Sequence, residues 1–407
     1  MCMYSFCENV FYVKGAVNAC LYDLNNKKLY RFSDLECSLL DKLVGSEEGE
    51  LELTKLEKAA VEQLQALKLV QISSNLNRGM TVPGTSPAIK QVWLEVTQGC
   101  NLRCLHCYEN AGPVCRDEMS LKDFQHCISE LAETHVPAIQ FIGGEPLCLK
   151  SKLKTMIEYC LGKFSSIEVF TNGTLITEDW ADFFAANNIK VALSVYSYIP
   201  TMHDYVTKHT GSFDKTTRGI RWLRERNVKY RVANVLMDKV ELGERNTDLF
   251  RLNPEKDIIR MSGRGNLGLL NEELLRKRLI TPKNFEEPLK PSLVRQAFAY
   301  HQCFSTRLYI DVKLNVYPCV MERRICHGSL KNSHLKDVLR SDIFTFNKDR
   351  IEECRECEFR YCCFDCRPNT LTDNIAAKPW YCSYLPRQGR WQSPEELIQQ
   401  ILQNKAQ

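Results

Sequence analysis

The stretch CNLRCLHCYEN, Cys100 to Asn110, sets three cysteines four and then three positions apart and follows the last with a tyrosine. Such spacing gathers three thiolates on one short loop. A structural zinc site wants four closed ligands, and no second CxxC pair lies near this one. Three thiolates would hold three irons of a four-iron cluster and leave the fourth iron open. On spacing alone, the alternative is three incidental cysteines.

The loop follows an apolar run, VWLEV (92–96), and further runs recur downstream: AIQFIG (138–143), IEVFTNG (167–173), KVALSVYS (190–197), KYRVANVLM (229–237) and DIIRMS (257–262). Stretches with helical spacing lie between them at 121–134, 152–164, 178–188 and 212–227. Alternating strands and helices imply parallel strands with crossover helices. About six repeats predict an α/β fold, a partial (β/α)6 TIM-like barrel. In such barrels the chemistry sits at the C-terminal strand ends. The three-cysteine loop follows the first strand, Gly143-Gly144-Glu145-Pro146 the second, and Asn172 ends the third. Ser194 lies late in the fourth. Four unusual features therefore share one rim.

The rest of the chain divides around this barrel (90–290). Residues 1–75 carry three short apolar runs broken by turn residues, then two helical stretches. They predict a compact α+β, winged-helix-like module. Residues 76–89 belong to a Ser/Gly/Pro/Asn-rich linker. Residues 291–392 lose the alternation and gain cysteines, so metal would hold them as much as a core does. Residues 393–407 form a last helix, with Ser393 as cap and Pro394 at the first position.

The 407 residues carry a net charge of +4 and are 44% hydrophobic, enough for real cores. No basic block suggests nucleic acid, and no apolar run suggests a membrane span or a secretory signal. The expected location is the cytoplasm. There the 20 cysteines read as metal ligands or catalysts where they cluster. Cys2, Cys7, Cys20, Cys37, Cys115, Cys127, Cys148 and Cys160 are scattered and read as buried or incidental thiols. ECRECEFRYCCFDC (353–366) holds two CxxC pairs too close together for a zinc ribbon. With Cys303, Cys319 and Cys382 nearby, the count suits two iron–sulfur clusters.

CNLRCLHCY closely resembles the signature of the radical S-adenosylmethionine (SAM) family. The resemblance implies that Cys100, Cys104 and Cys107 bind a 4Fe-4S cluster whose open iron is chelated by SAM. Reductive cleavage of SAM would then give a 5′-deoxyadenosyl radical that removes a hydrogen atom from substrate. It also implies that Tyr108 stacks near the adenine and that Gly143, Gly144, Glu145 and Pro146 meet the SAM amino group. Asn172 and Ser194 would contact the ribose or methionine portions. A small reductant protein such as ferredoxin or flavodoxin would supply the electron.

The C-terminal cysteines resemble the SPASM extension of radical SAM peptide maturases and sulfatase maturases. By that resemblance Cys303, Cys319 and Cys366 hold one auxiliary 4Fe-4S cluster, and Cys354, Cys357, Cys363 and Cys382 a second. Three departures stand out. Leu314 replaces a glycine, the gap from Cys363 to Cys366 is one residue short, and the first auxiliary cluster lacks a fourth cysteine. Cys362 would restore the gap, and either Cys326 or an open iron would complete the first cluster.

Residues 1–75 loosely resemble the leader-recognition modules fused to peptide-maturing radical enzymes, which capture a precursor's leader by strand addition. The alternative is a packing or dimerisation module. His203 and Asp204 invite an acid–base role, but loop anchoring is preferred and no catalytic base is assigned. The expected activity is modification of a ribosomally made precursor peptide by crosslinking, thioether formation or epimerisation. The alternatives are a formylglycine-generating sulfatase maturase, a radical enzyme acting on a tetrapyrrole or other small molecule, and a non-enzymatic electron carrier.

Overall fold

The computed structural model describes residues 3–45, 52–73, 88–115, 117–253 and 259–405. Most of the expected linker, residues 76–87, lies outside these. The first unit contains β1 (Met3–Phe6), β2 (Val10–Lys14), β3 (Ala19–Asp23), β4 (Lys28–Phe32), α1 (Asp34–Gly45), α2 (Lys55–Ala66) and β5 (Val70–Ser73). β2, β3 and β4 form an antiparallel sheet, and β1 pairs with β5. β1 and β5 were not expected from the sequence. α2 starts at a capping box, with Thr54 and Glu57 each satisfying the other's backbone N–H.

β3 is buried along its whole length. Its side chains alternate between two cores, as a strand requires. Ala19 and Leu21 pack with Leu39, Leu40 and Val61 of the unit's own helices. Cys20 and Tyr22 pack with Val294, Phe359, Tyr361 and Tyr384 of the C-terminal region. The Tyr22 hydroxyl donates to the Glu358 carbonyl at 2.7 Å, and Ala16 N–H to the Glu356 carbonyl at 2.8 Å.

The central sheet is built from β6 (Gln91–Thr97), α3 (Leu121–Glu133), β7 (Ala138–Gly143), α4 (Ser151–Cys160), β8 (Ser166–Thr171), α5 (Glu178–Ala186), β9 (Lys190–Ser194), α6 (Pro200–Thr207), α7 (Ser212–Glu225) and β10 (Tyr230–Ala233). These five strands are parallel, in the order β10-β9-β8-β7-β6. α3, α4, α5 and α7 share one core with the sheet, whereas α6 meets the cysteine loop. α3 buries Phe124, Cys127, Ile128 and Leu131 at helical spacing, each such side chain worth roughly 1.5–3 kcal/mol.

The expected sixth strand at 257–262 is not where the barrel gains its sixth member. Residues 257 and 258 lie outside the described residues, and 259–262 form no strand. Instead β11 (Arg307–Ile310) pairs parallel with β6 on the opposite edge. β12 (Asn315–Tyr317) and β13 (Gly328–Ser329) extend that side antiparallel. The far edge of β6 would otherwise leave a row of backbone groups unpaired. Between β11 and β12 the chain turns through Leu314 at φ 66°. That left-handed conformation favours glycine and costs leucine about 1–2 kcal/mol. A glycine at this position would adopt the same backbone without that cost. Among the described residues no helix is long and apolar enough to cross a membrane.

Candidate active site

Cys100, Cys104 and Cys107 line one cavity of about 90 Å³ with Tyr108, Gly143, Gly144, Asn172, Ser194, Tyr196 and Arg264. The strand ends thus converge as the alternation predicts. The loop after β7 is laced to the loop before Cys100: Gly144 N–H donates to the Thr97 carbonyl and Glu145 N–H to the Gly99 carbonyl, both at 2.8 Å. A Cβ on Gly144 would overlap the Gly99 carbonyl oxygen. Glycine is needed there for the approach of two backbones.

Glu145 and Pro146 are buried but do not line the cavity. The Glu145 carboxyl accepts from Leu147 N–H at 3.0 Å, the Thr171 hydroxyl at 2.7 Å and Asn172 N–H at 2.7 Å. It therefore fixes the end of β8 to the end of β7. Burial pushes it up to about 7 against these three donors. Asn172 donates to Asn101 Oδ1 at 2.9 Å and holds Thr174 N–H through its own Oδ1. It ties the cysteine loop to β8 while facing the cavity.

Several residues that sequence reading missed complete the site. Arg264 clamps the cysteine loop: Nε donates to the Cys104 carbonyl at 2.8 Å, NH1 to Asn110 Oδ1 at 2.9 Å and NH2 to the Ala111 carbonyl at 2.8 Å. Burial pushes the Cys104 thiol up to about 12, with Cys107 adding to the rise, while Arg264 and the Tyr196 hydroxyl oppose it. Tyr196 meets His106 edge-on with ring centroids 4.8 Å apart. His106 sat inside the motif, and Arg264 inside the glycine-rich SGRGN. A thiol raised this way is ionised by metal ligation, and the guanidinium complements the resulting negative charge. Three convergent thiols, close-packed glycine backbone and a fixed cation fit a three-thiolate 4Fe-4S cluster.

Next to it, a cavity of about 220 Å³ runs into the barrel between Trp93, Tyr108, Phe170, Ser194, Arg260 and Met321. Glu109, which lines the cysteine cavity, lies beside a second buried carboxylate, Glu95. Glu109 forms an ion pair with Arg323, yet burial raises its carboxyl, and the Glu95 carboxylate adds to the rise.

Of the C-terminal cysteines, Cys354, Cys357, Cys363 and Cys382 line a single small cavity. Cys362 turns the other way, its Sγ 3.5 Å from the Tyr22 hydroxyl and 3.4 Å from the Phe359 carbonyl. Burial raises the thiol of Cys303, and Cys366 and Cys319 add to the rise. Cys326 is exposed, with Sγ 3.3 Å from the Gly328 carbonyl. Among the described residues no disulfide forms, and no three His, Cys, Asp or Glu close tightly enough to grip a single metal ion. Thiolates around a four-iron cluster stand farther apart than around one zinc ion.

His203 and Asp204 anchor a loop. The Asp204 carboxylate accepts from Gly211 N–H at 2.6 Å, the Ser212 hydroxyl at 2.7 Å and Phe213 N–H at 2.9 Å. His203 Nδ1 accepts Tyr196 N–H at 3.3 Å, and burial lowers the imidazole to about 4. The unfolded chain binds a proton there from about pH 6.5 downward, whereas the folded chain refuses it until about 4. Acidification across this window therefore favours unfolding, by on the order of 3 kcal/mol in total. The urea midpoint of the anaerobic apo-protein should fall from pH 6.5 to 4 with a gentler slope in His203→Gln than in the parent chain. Equal slopes would remove His203 from the acid response.

Residues 94–249 match the Radical SAM superfamily. The chain carries a radical SAM domain over that span. It is similar to the antilisterial bacteriocin subtilosin biosynthesis protein AlbA of Bacillus subtilis (strain 168), 27% identical over 181 residues, 43% of this chain and 40% of AlbA. The chain thus matches less than half of AlbA's length. An AdoMet-dependent heme synthase of Oleidesulfovibrio alaskensis is 24% identical over 361 residues, 77% of this chain and 92% of that protein. Among solved structures, Streptococcus suis SuiB bound to precursor peptide SuiA shares the fold with a TM-score of 0.55, at 15% identity, over 90% of this chain and 96% of SuiB.

Proposed function

We propose that this chain modifies a ribosomally synthesised peptide by radical SAM chemistry, forming a crosslink or thioether or epimerising a residue. When bound, a 4Fe-4S cluster at Cys100, Cys104 and Cys107 supplies the electron that breaks a carbon–sulfur bond of SAM. The chain's own residues do the rest. Arg264 holds the cysteine loop, Tyr196 and Ser194 present hydroxyls to the cavity, and Tyr108 and Phe170 keep water from the route into the barrel. Two auxiliary 4Fe-4S clusters are assigned, one to Cys354, Cys357, Cys363 and Cys382, the other to Cys303, Cys319 and Cys366. Arg260 hydrogen-bonds Cys366 and also lines the barrel cavity. An iron left open by the three-cysteine group would accordingly lie close to substrate.

The observation that carries the peptide reading is the seating of residues 3–73. Among the described residues, β3 packs against the cysteine-rich region, while β4 pairs with β3 alone and has no strand on its other edge. A leader added as a strand at such an edge is held by main-chain hydrogen bonds. The likeness to AlbA and SuiB supports the same substrate class. The near full-length match to a heme synthase favours a second reading, a tetrapyrrole side chain as substrate.

Anaerobic incubation with SAM, dithionite and any short peptide found to be encoded beside the gene tests this by mass spectrometry. Loss of two hydrogens reports a crosslink, and unchanged mass with deuterium uptake reports epimerisation. Deoxyadenosine release with a propionate-bearing tetrapyrrole but never with peptide would replace the first reading by the second. Oxidation of one Cys or Ser to formylglycine would instead mark a sulfatase maturase. A proline scan of the precursor leader should weaken binding at least about tenfold within one short window, since proline removes a backbone donor. Alanine there should cost little, and a flat proline profile would rule out strand addition.

A further inference from the structure

Away from the barrel, a charged group is buried among the C-terminal cysteines. Lys348 and Arg367 form ion pairs with the two oxygens of Asp365, and all three side chains are almost fully buried. His301 Nε2 also meets Asp365 Oδ1, at 2.9 Å. The Nδ1 atom of His301 accepts the Cys303 N–H at 3.2 Å. Its proton therefore sits on Nε2 and the ring is neutral. The group holds two cations and one carboxylate. An uncompensated charge in a dry interior is costly, so the surplus needs an anion beside it.

The thiols supply one. Lys348 Nζ lies 3.9 Å from Cys363 Sγ and lines the same cavity as Cys354, Cys357, Cys363 and Cys382. On the other side, Cys303 Sγ lies 3.9 Å from the Asp365 carbonyl. Asp365 itself stands in the chain between Cys363 of one thiol group and Cys366 of the other.

We infer that Lys348 sets the reduction potential of the cluster assigned to Cys354, Cys357, Cys363 and Cys382, with Asp365 positioning it between the two thiol groups. This rests on the auxiliary-cluster assignment made above. Four thiolates make such a cluster anionic, and reduction adds one further negative charge. A fixed cation in a low-dielectric site favours the more negative state. Lys348 therefore raises the potential, and Asp365 opposes it.

Potentiometric titration of the anaerobically reconstituted full chain, followed by electron paramagnetic resonance, tests the inference. Lys348→Met should move one auxiliary midpoint to more negative potential by at least a tenfold change in the reduced-to-oxidised ratio, about 59 mV for one electron. Lys348→Arg should hold the parental midpoint, and Asp365→Asn should move it the opposite way. Packing damage would not produce shifts of opposite sign. An unmoved midpoint in Lys348→Met, or shifts of the same sign in Lys348→Met and Asp365→Asn, would overturn the inference. If Lys348→Met loses iron, the sign of the Asp365→Asn shift decides alone. A parent chain holding only about four irons would overturn the assignment and the inference together. About twelve irons with unmoved midpoints would overturn the inference only.

Discussion

Replacing Cys100, Cys104 and Cys107 together by alanine is expected to abolish SAM cleavage and to lower iron from about twelve to about eight atoms per chain. The three thiols line the cavity that also receives Gly144, Asn172 and Ser194, and among the described residues no other cysteine lines it. Removing them leaves the clamp of Arg264 on the Cys104 and Ala111 carbonyls intact, because those contacts are to backbone. The fold should therefore survive while the chemistry is lost. Deoxyadenosine formation by the triple variant under dithionite would sink the site. Stoichiometric zinc with only about four irons in the parent protein would instead favour a zinc ribbon in the C-terminal region.

The second large effect is expected from Gly263→Ala, far from the motif in sequence. Gly263 sits at φ 59°, and a Cβ there would overlap the Cys107 and Tyr108 carbonyl oxygens. Strain at such an angle and displacement of two backbone carbonyls together cost about 2–4 kcal/mol. The displaced atoms belong to the cysteine loop, and the next residue is its arginine clamp. SAM cleavage should fall at least about tenfold, a loss of transition-state stabilisation of about 1.4 kcal/mol, and the thermal midpoint should fall with it. An alanine variant with parental stability and SAM cleavage would show that the 262–266 turn only rests on the loop. Gly162→Ala provides the control, since that glycine also has positive φ but a Cβ there meets nothing within 4 Å.

Much of this could be read from residue order because it depends on local pattern. Strands β6 to β10 and their helices follow from apolar runs of period two and amphipathic stretches of period 3.6. The three-cysteine loop and the glycines after β7 are short-range signals, and the fold brings them to one rim because parallel strands all end on the same side. The continuous apolar run at 19–22 likewise reflects a strand buried on both faces.

Other features depended on what meets across the chain. The sixth parallel strand comes from 307–310 because the open edge of β6 selects its neighbour in space, and 259–262 lie instead near the cysteine loop. Adjacent Cys362 and Cys363 are equivalent by spacing. Only the local backbone sends one toward Tyr22 and the other to the shared cavity of four thiols. Glu145 looks like a cavity residue in the motif but turns inward, where its carboxyl satisfies two backbone N–H groups and the Thr171 hydroxyl. The sequence by itself determined the parallel α/β framework and the three-thiolate loop, since periodicity and close spacing act within a few residues. The tertiary structure decided the sixth strand, the arginine clamp and the buried Lys348–Asp365–Arg367 group, because hydrogen bonds and ion pairs between distant segments exist only after packing has chosen which groups lose water together.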